Sequence, residues 1–256
     1  RLRQGIRWQS TDPVGGRVLT SGDIVFSYER QRHQGWPNAP LLQAIVGLES
    51  PRPDTVRISL SAPDVDCMAS LADGHSKIVA REAVDVRGDL KNGPTVGTGP
   101  WVLRKNEPGL SHGFERNPDY FEEGLPLVET LVIHVIADPI TRDAAFKTRA
   151  VDVHQIEPEE WDAFQQQRPN APFLEIRDPG AGLEVALKTT VAPFDDVRVR
   201  RAVFQAMDPW RAIEDIWLGA GFVGLGFPSV EADWLLSERE VREYVGDSAL
   251  AGELLR

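Results

Sequence analysis

Few residues in this 256-residue chain have the type and spacing that chemistry requires. Gly219-Ala220-Gly221-Phe222-Val223-Gly224 spells the GxGxxG pattern of a dinucleotide phosphate loop. That pattern works only where a strand enters the loop and a helix leaves it, so that helix N-terminal amides face the phosphates. Here a helical pattern precedes and Gly226-Phe227-Pro228 follows, so a glycine-rich helix exit is the better reading. Asp195-Asp196 offers a carboxylate pair for acid–base work. It stands directly before a helix, where Asp196 serves as a cap and Asp195 favours the positive end. His33, His75, His112, His134 and His154 are scattered without HExxH or any comparable ligand spacing, and His134 reads as an ordinary strand position. No Gly-x-Ser-x-Gly nucleophile turn occurs. The residues point to no enzyme, no cofactor and no metal.

Residues suited to binding are easier to find. Trp36 stands in the loop Trp36-Pro37-Asn38-Ala39-Pro40, and Trp101 follows Gly97-Thr98-Gly99-Pro100. Amides of that second turn, around Thr98 and Gly99, are placed to meet a ligand. Asp73 and His75 share the polar stretch Leu71-Ala72-Asp73-Gly74-His75. Aromatic walls with a few polar groups are what a cleft for an extended zwitterion or a sugar needs. Each also has a plain use: Trp101 as a core anchor, Trp36 as surface packing, Asp73 and His75 as turn polarity.

The elements that must position these residues follow from periodicity and caps. Thr20 with Asp23 reads as a capping-box variant opening a helix. Thr55–Leu60 alternates as a half-buried strand, and Ile78-Val79 reads as a short one. From Trp101 to Arg116 the pattern is strand, Asn106-Glu107-Pro108-Gly109 turn, strand, with Pro and Gly at the central positions of a type II turn. Leu131 to Ile136 is apolar on both faces, as a central strand would be. Thr141 or Asp138 starts the next helix, and Leu183 to Leu187 reads as a strand. Beyond Asp196 a helix carries Val199, Ala202, Val203, Ala206 and Met207 as one stripe; Asp208-Pro209 restarts a second helix that Gly219 closes. The class is α/β with a mixed sheet, in two lobes.

Composition sets the outer limits. A chain of this length builds one large or two medium domains. A net charge of −11 argues against a general nucleic-acid binder. Cys67 is alone, so no intrachain disulfide forms. No run of 18 apolar residues exists to span a membrane. Arg1-Leu2-Arg3 opens without a signal peptide, and both ends read as cuts in a longer protein.

Four segments, in order, resemble solute-binding protein family 5. They are Leu2-Arg3-Gln4-Gly5-Ile6-Arg7-Trp8 with Leu19 to Ser27; Gly97-Thr98-Gly99-Pro100-Trp101; Glu115-Arg116-Asn117-Pro118-Asp119-Tyr120-Phe121 through Asp138-Pro139-Ile140-Thr141-Arg142 to Val151-Asp152; and Pro193-Phe194-Asp195-Asp196-Val197-Arg198-Val199-Arg200-Arg201-Ala202 on to Asp208. The resemblance implies a two-lobed, periplasmic-binding-protein-like (type II) clamp, incomplete at both ends. Residues 1–182 would be most of the first lobe, 183–190 a hinge strand and 191–256 the beginning of the second lobe. It implies an ABC-importer component that captures a solute, foremost an oligopeptide or dipeptide, and delivers it to a membrane permease driven by ATPase subunits. The location would be the periplasm or the outer face of the cytoplasmic membrane, with membrane contact only through a lipid anchor or the permease. A sensor domain of a transcriptional regulator is the alternative. Four positions depart from the family pattern. Arg149 and Ala150 replace glycine and glutamate, Lys188 replaces asparagine, and Pro209 replaces a basic residue. Arg149 would cost roughly 1 kcal/mol if the left-handed geometry of that glycine persists.

Overall fold

The computed structural model describes residues 1–91, 93–176, 184–224 and 235–255. Packing divides the chain into two compact units, Arg1–Arg142 and Asp143–Arg256.

The first unit is organised around helix α1, Ser21–Gln31. Thr20 precedes it in extended backbone, and the Thr20 amide donates to the Asp23 carboxylate at 2.8 Å, as the capping-box pattern anticipates. Ile24, Tyr28 and Gln31 recur at helical spacing and form the buried stripe. Against them pack Leu42 and Ile45, which belong to a 3-10 turn at Ala39–Leu42 and to strand β1, Ile45–Arg52. Leu42 is 1% exposed, and burying it stabilises by about 2 kcal/mol. Strand β2, Thr55–Leu60, pairs antiparallel with β1 and turns Val56, Ile58 and Leu60 onto this cluster. The hairpin is fastened to the start of α1 by fully buried Ser21, whose hydroxyl donates to the Arg52 carbonyl at 2.6 Å.

A second cluster, Trp8, Val14, Ala80 and Ala83, lies beside the N-terminal turn and helix α3, Arg81–Asp85. Arg17 joins these parts. Its guanidinium donates to Glu82 at 2.6 and 2.8 Å and to Asp23 at 2.6 and 3.0 Å. The strand expected at Ile78-Val79 does not form. Instead, Ser27 on α1 bonds both the amide and the carbonyl of Val79, at 2.9 and 3.1 Å, satisfying the backbone without a ladder.

Strands β3 (Trp101–Glu107), β4 (Ser111–Arg116) and β5 (Thr130–His134) form an antiparallel sheet in the order β3-β4-β5. The turn between β3 and β4 has Pro108 and Gly109 at its centre, Gly109 at φ 76° and the Leu110 amide donating to the Glu107 carbonyl at 2.9 Å. That is the anticipated type II geometry. β5 corrects a second expectation. It is the edge of its sheet and exposed along its whole length, not a central strand, because its apolar residues meet no second layer among the described residues. Both sheets are purely antiparallel among the described residues, without the parallel pairs of a mixed sheet.

Asp138 is the residue that starts helix α4, Pro139–Lys147, its carboxylate accepting from the Thr141 amide at 2.8 Å. In the second unit, His154, Phe146, Phe164, Trp161 and Phe173 form a row of successive ring contacts at centroid distances of 4.7 to 6.2 Å, the last one edge-on. Trp161 opens helix α5, Trp161–Gln167. Helices α6 (Val197–Ala206) and α7 (Pro209–Trp217) begin at Asp196 and Asp208, each accepting from a first-turn amide, and Leu218 and Gly219 end α7 in left-handed backbone. α6 buries Ala202 and Gln205, while Ala206, expected on the stripe, is exposed. Gln205 bridges toward helices α8 (Glu238–Val241) and α9 (Ser248–Leu254), donating to the Glu243 carbonyl and accepting from the Asp247 amide, both at 3.0 Å. The strand expected at Leu183–Leu187 is not seen. Residues 184–187 carry no ladder, having no strand of this unit beside them among the described residues, and Leu183 lies outside those residues.

Two outcomes test this account. Burial pushes the Asp23 pKa upward, but the Arg17 guanidinium and the Thr20 amide outweigh it and hold the carboxyl below its usual value. Such a group contributes stability that is complete above its unfolded pKa of about 4 and is lost as pH falls through the lower folded value. Arg17→Gln should therefore destabilise the chain by about 2 kcal/mol at pH 7 in urea melts, Arg17 being one-third exposed. The gap from the parent should shrink as pH falls below about 4. Arg149 does adopt the left-handed conformation, at φ 62°, as the chain leaves α4. Arg149→Gly should raise stability by about 1 kcal/mol in the same melts, and a lower midpoint would refute the strain.

Candidate functional site

The Gly97–Trp101 turn is built from both sides by buried carboxamides. Gln9 is 4% exposed and Asn117 2% exposed. The Gln9 side chain donates to the carbonyls of Trp101 at 2.7 Å and Gly99 at 3.3 Å, and its oxygen accepts from the Gly97 amide at 3.2 Å. The Gln9 main chain donates to the Gly97 carbonyl at 2.9 Å. Asn117 adds bonds to the carbonyls of Gly99 from its side chain, 2.9 Å, and of Pro100 from its main chain, 2.8 Å. The turn thus spends its polar backbone largely on being fastened. Thr98, Gly99 and Trp101 are half-buried, and Trp101 pairs with Arg116 as the first residue of β3.

Trp36, Asp73 and His75 lie elsewhere, on two segments that Gln31 of α1 touches through Asn38 and Ser76. Trp36 is 41% exposed, with the Arg30 guanidinium 4.2 Å above its ring. Beside it opens a concavity of about 430 Å³, lined by Trp36, Arg32, Gln34, Gln43 and the apolar floor of Leu42 and Ile45. Arg32 also reaches Glu29 at 3.3 Å. Helix α2, Cys67–Ala72, packs on the same 3-10 turn and delivers Asp73 and His75 at its end. The Asp73 carboxylate accepts from the His75 amide at 2.7 Å and lies 2.9 Å from the His75 ring, contacts that hold its pKa below the usual range. Such a surface offers an aromatic wall, a guanidinium and carboxamides above an apolar base. It can bind; it holds no activated nucleophile.

The six anticipated residues therefore fall into two groups. Thr98, Gly99 and Trp101 hang on Gln9, next to Trp8. Trp36, Asp73 and His75 stand at the far end of α1 around Gln31, whose side chain donates to the Asn38 carbonyl at 3.2 Å and to the Ser76 hydroxyl at 3.3 Å. Arg32, Gln31, Gln9 and Asn117 were not singled out from sequence. The signal for Gln31 was a polar side chain on the buried stripe of α1, seven residues after Ile24. Asp196 caps α6 and bonds Arg198, and α7 precedes the GxGxxG run, whose continuation from 225 lies outside the described residues. Among the described residues no three His, Cys, Asp or Glu side chains gather as a metal cage would require.

Known proteins with this sequence pattern and fold bind solutes. Di/tripeptide-binding protein 2 of Pseudomonas aeruginosa is 29% identical over 225 residues, covering 79% of this chain and 41% of that protein. The nickel-binding periplasmic protein of Escherichia coli is 25% identical over 224 residues, covering 85% and 42%. The ABC transporter-associated periplasmic binding protein DppA of Helicobacter pylori, solved with the peptide STSA, superposes with a TM-score of 0.80 at 21% identity, covering 99% of this chain and 52% of that one. The chain spans about half the length of these relatives. The fold is that of the two-lobed periplasmic binding proteins, and helices with small sheets account for the α/β class. A family model matches residues 1–256 from end to end, and the chain belongs to the bacterial extracellular solute-binding proteins, family 5 Middle.

Proposed function

We propose that this chain is the substrate-binding part of an ABC importer that captures a short peptide outside the cytoplasmic membrane and hands it to a permease. Family membership and the di/tripeptide-binding relative support the class of solute. The observation that carries the reading is the Trp36 concavity. Trp36, Arg32, Gln34 and Gln43 line it together with Leu42 and Ile45. A peptide presents matching groups: a carboxylate for the guanidinium, amides for the carboxamides and side chains for the apolar floor.

In this reading residues 1–182 belong to the first lobe, 183–190 to a hinge crossing and 191–256 to the second lobe. The solute stabilises the closed clamp by binding it more tightly than the open one, and the permease recognises the closed form. Residues of this chain bind and orient; no bond in the solute is made or broken.

The test is a thermal-shift screen of the product of the full open reading frame against di- to pentapeptides, metal chelates and oligosaccharides. Peptides should raise the melting temperature, since a ligand at 100 times its Kd adds about 2.7 kcal/mol. Trp36→Ala should weaken peptide binding by roughly 10- to 100-fold in calorimetry while leaving the ligand-free melting temperature nearly unchanged, because the ring is exposed. A response to metal chelates or oligosaccharides alone would replace peptide as the solute. Unchanged peptide affinity in Trp36→Ala would remove the concavity from the site.

A further inference from the structure

We propose that Gln31 is a positioning residue of the solute site, a bridge that makes the Trp36 loop and the Asp73–His75 turn behave as one body. The inference rests on reading the Trp36 concavity as part of that site. Gln31 is 8% exposed and occupies a core position of α1, where an apolar residue would pack without desolvation cost. Its carboxamide is instead spent on two separate loops. One N–H bond goes to the Asn38 carbonyl, two residues beyond Trp36, and another to the hydroxyl of Ser76, next to His75. Ser76 is 6% exposed and passes the connection on, donating to the Ser70 carbonyl of α2 at 2.6 Å. Among the described residues no other hydrogen bond joins the 33–40 loop to the 73–76 turn. Both segments rest on the same apolar cluster, through Leu42 and Leu71, which fixes their distance but not their orientation. Two directional bonds from one planar amide supply that orientation.

The consequence is energetic coupling between residues that share no contact of their own. The His75 ring resonance, assigned by its loss in His75→Ala, reports on it without any ligand. Trp36→Ala should shift that resonance in the parent chain and leave it in place in a Gln31→Leu background. Gln31→Glu, which keeps the length but loses both donors, should behave like Gln31→Leu. Should Gln31→Leu fail to fold, Ser76→Ala cuts only the second half of the bridge and should give the same loss. An equal shift with and without the bridge, or no shift in the parent, overturns the proposal. Calorimetry with trialanine on the product of the full reading frame provides the functional arm. Gln31→Leu should weaken binding about tenfold and make the effects of Trp36→Ala and His75→Ala additive. Unchanged trialanine affinity would overturn the positioning role. If trialanine does not bind the parent at all, the peptide reading fails, and the resonance arm alone still decides on the bridge.

Discussion

The buried carboxamide of Gln9 is the constraint on which the first unit depends. It ties a residue near the start of the chain to a turn some 90 positions later, through three side-chain bonds and one from its own amide. A loop of that length is entropically costly to close, and a single hydrophobic contact would not choose its register. Directional bonds to the alternate carbonyls of Gly97, Gly99 and Trp101 do choose it. Gly97, Gly99 and Trp101 are held in one arrangement, β3 therefore starts at a defined residue, and the β3-β4-β5 sheet inherits its place from that start. Asn117 closes the same turn from the opposite side, where β4 ends.

The same device recurs. Gln31 in the first unit and Gln205 in the second are glutamines on the buried face of a helix, each bonding main-chain or hydroxyl groups of two other segments. Apolar clusters give these units their cohesion; the carboxamides specify which loop lies where. Leaving any one of them unpaired would cost the desolvation of a buried amide, so the loops they hold are over-determined.

Local signals in the sequence were legible where one residue decides the geometry. Thr20 with Asp23, Asp196, Asp208 before Pro209, and Pro108-Gly109 act through bonds and dihedrals inside four or five residues, and all appear as anticipated. Arg149 shows the left-handed turn that only a comparison with the family pattern revealed. Misreadings arose where tertiary partners decide. Ile78-Val79 has a strand's composition but is satisfied by a serine, and Leu131 to Ile136 has a central strand's composition at an edge. Of the candidate site, Trp36 stood out because an indole in a proline-rich loop is conspicuous. Arg32 and Gln31 did not, because on a helix only the neighbours distinguish a wall, a bridge and a solvated surface.

The edge position of β5 carries a further consequence. Among the described residues, Thr130-Leu131-Val132-Ile133-His134 has an unpaired outer ladder on a short, uncharged, β-prone segment, the composition through which chains recruit one another into cross-β assemblies. Glu129 stands immediately before it and Asp138 four residues after it, in the place of gatekeepers. The net charge of −11 adds a long-range repulsion between copies. Because that repulsion is screened by salt, the colloidal behaviour of the chain is tied to ionic strength through one five-residue strand.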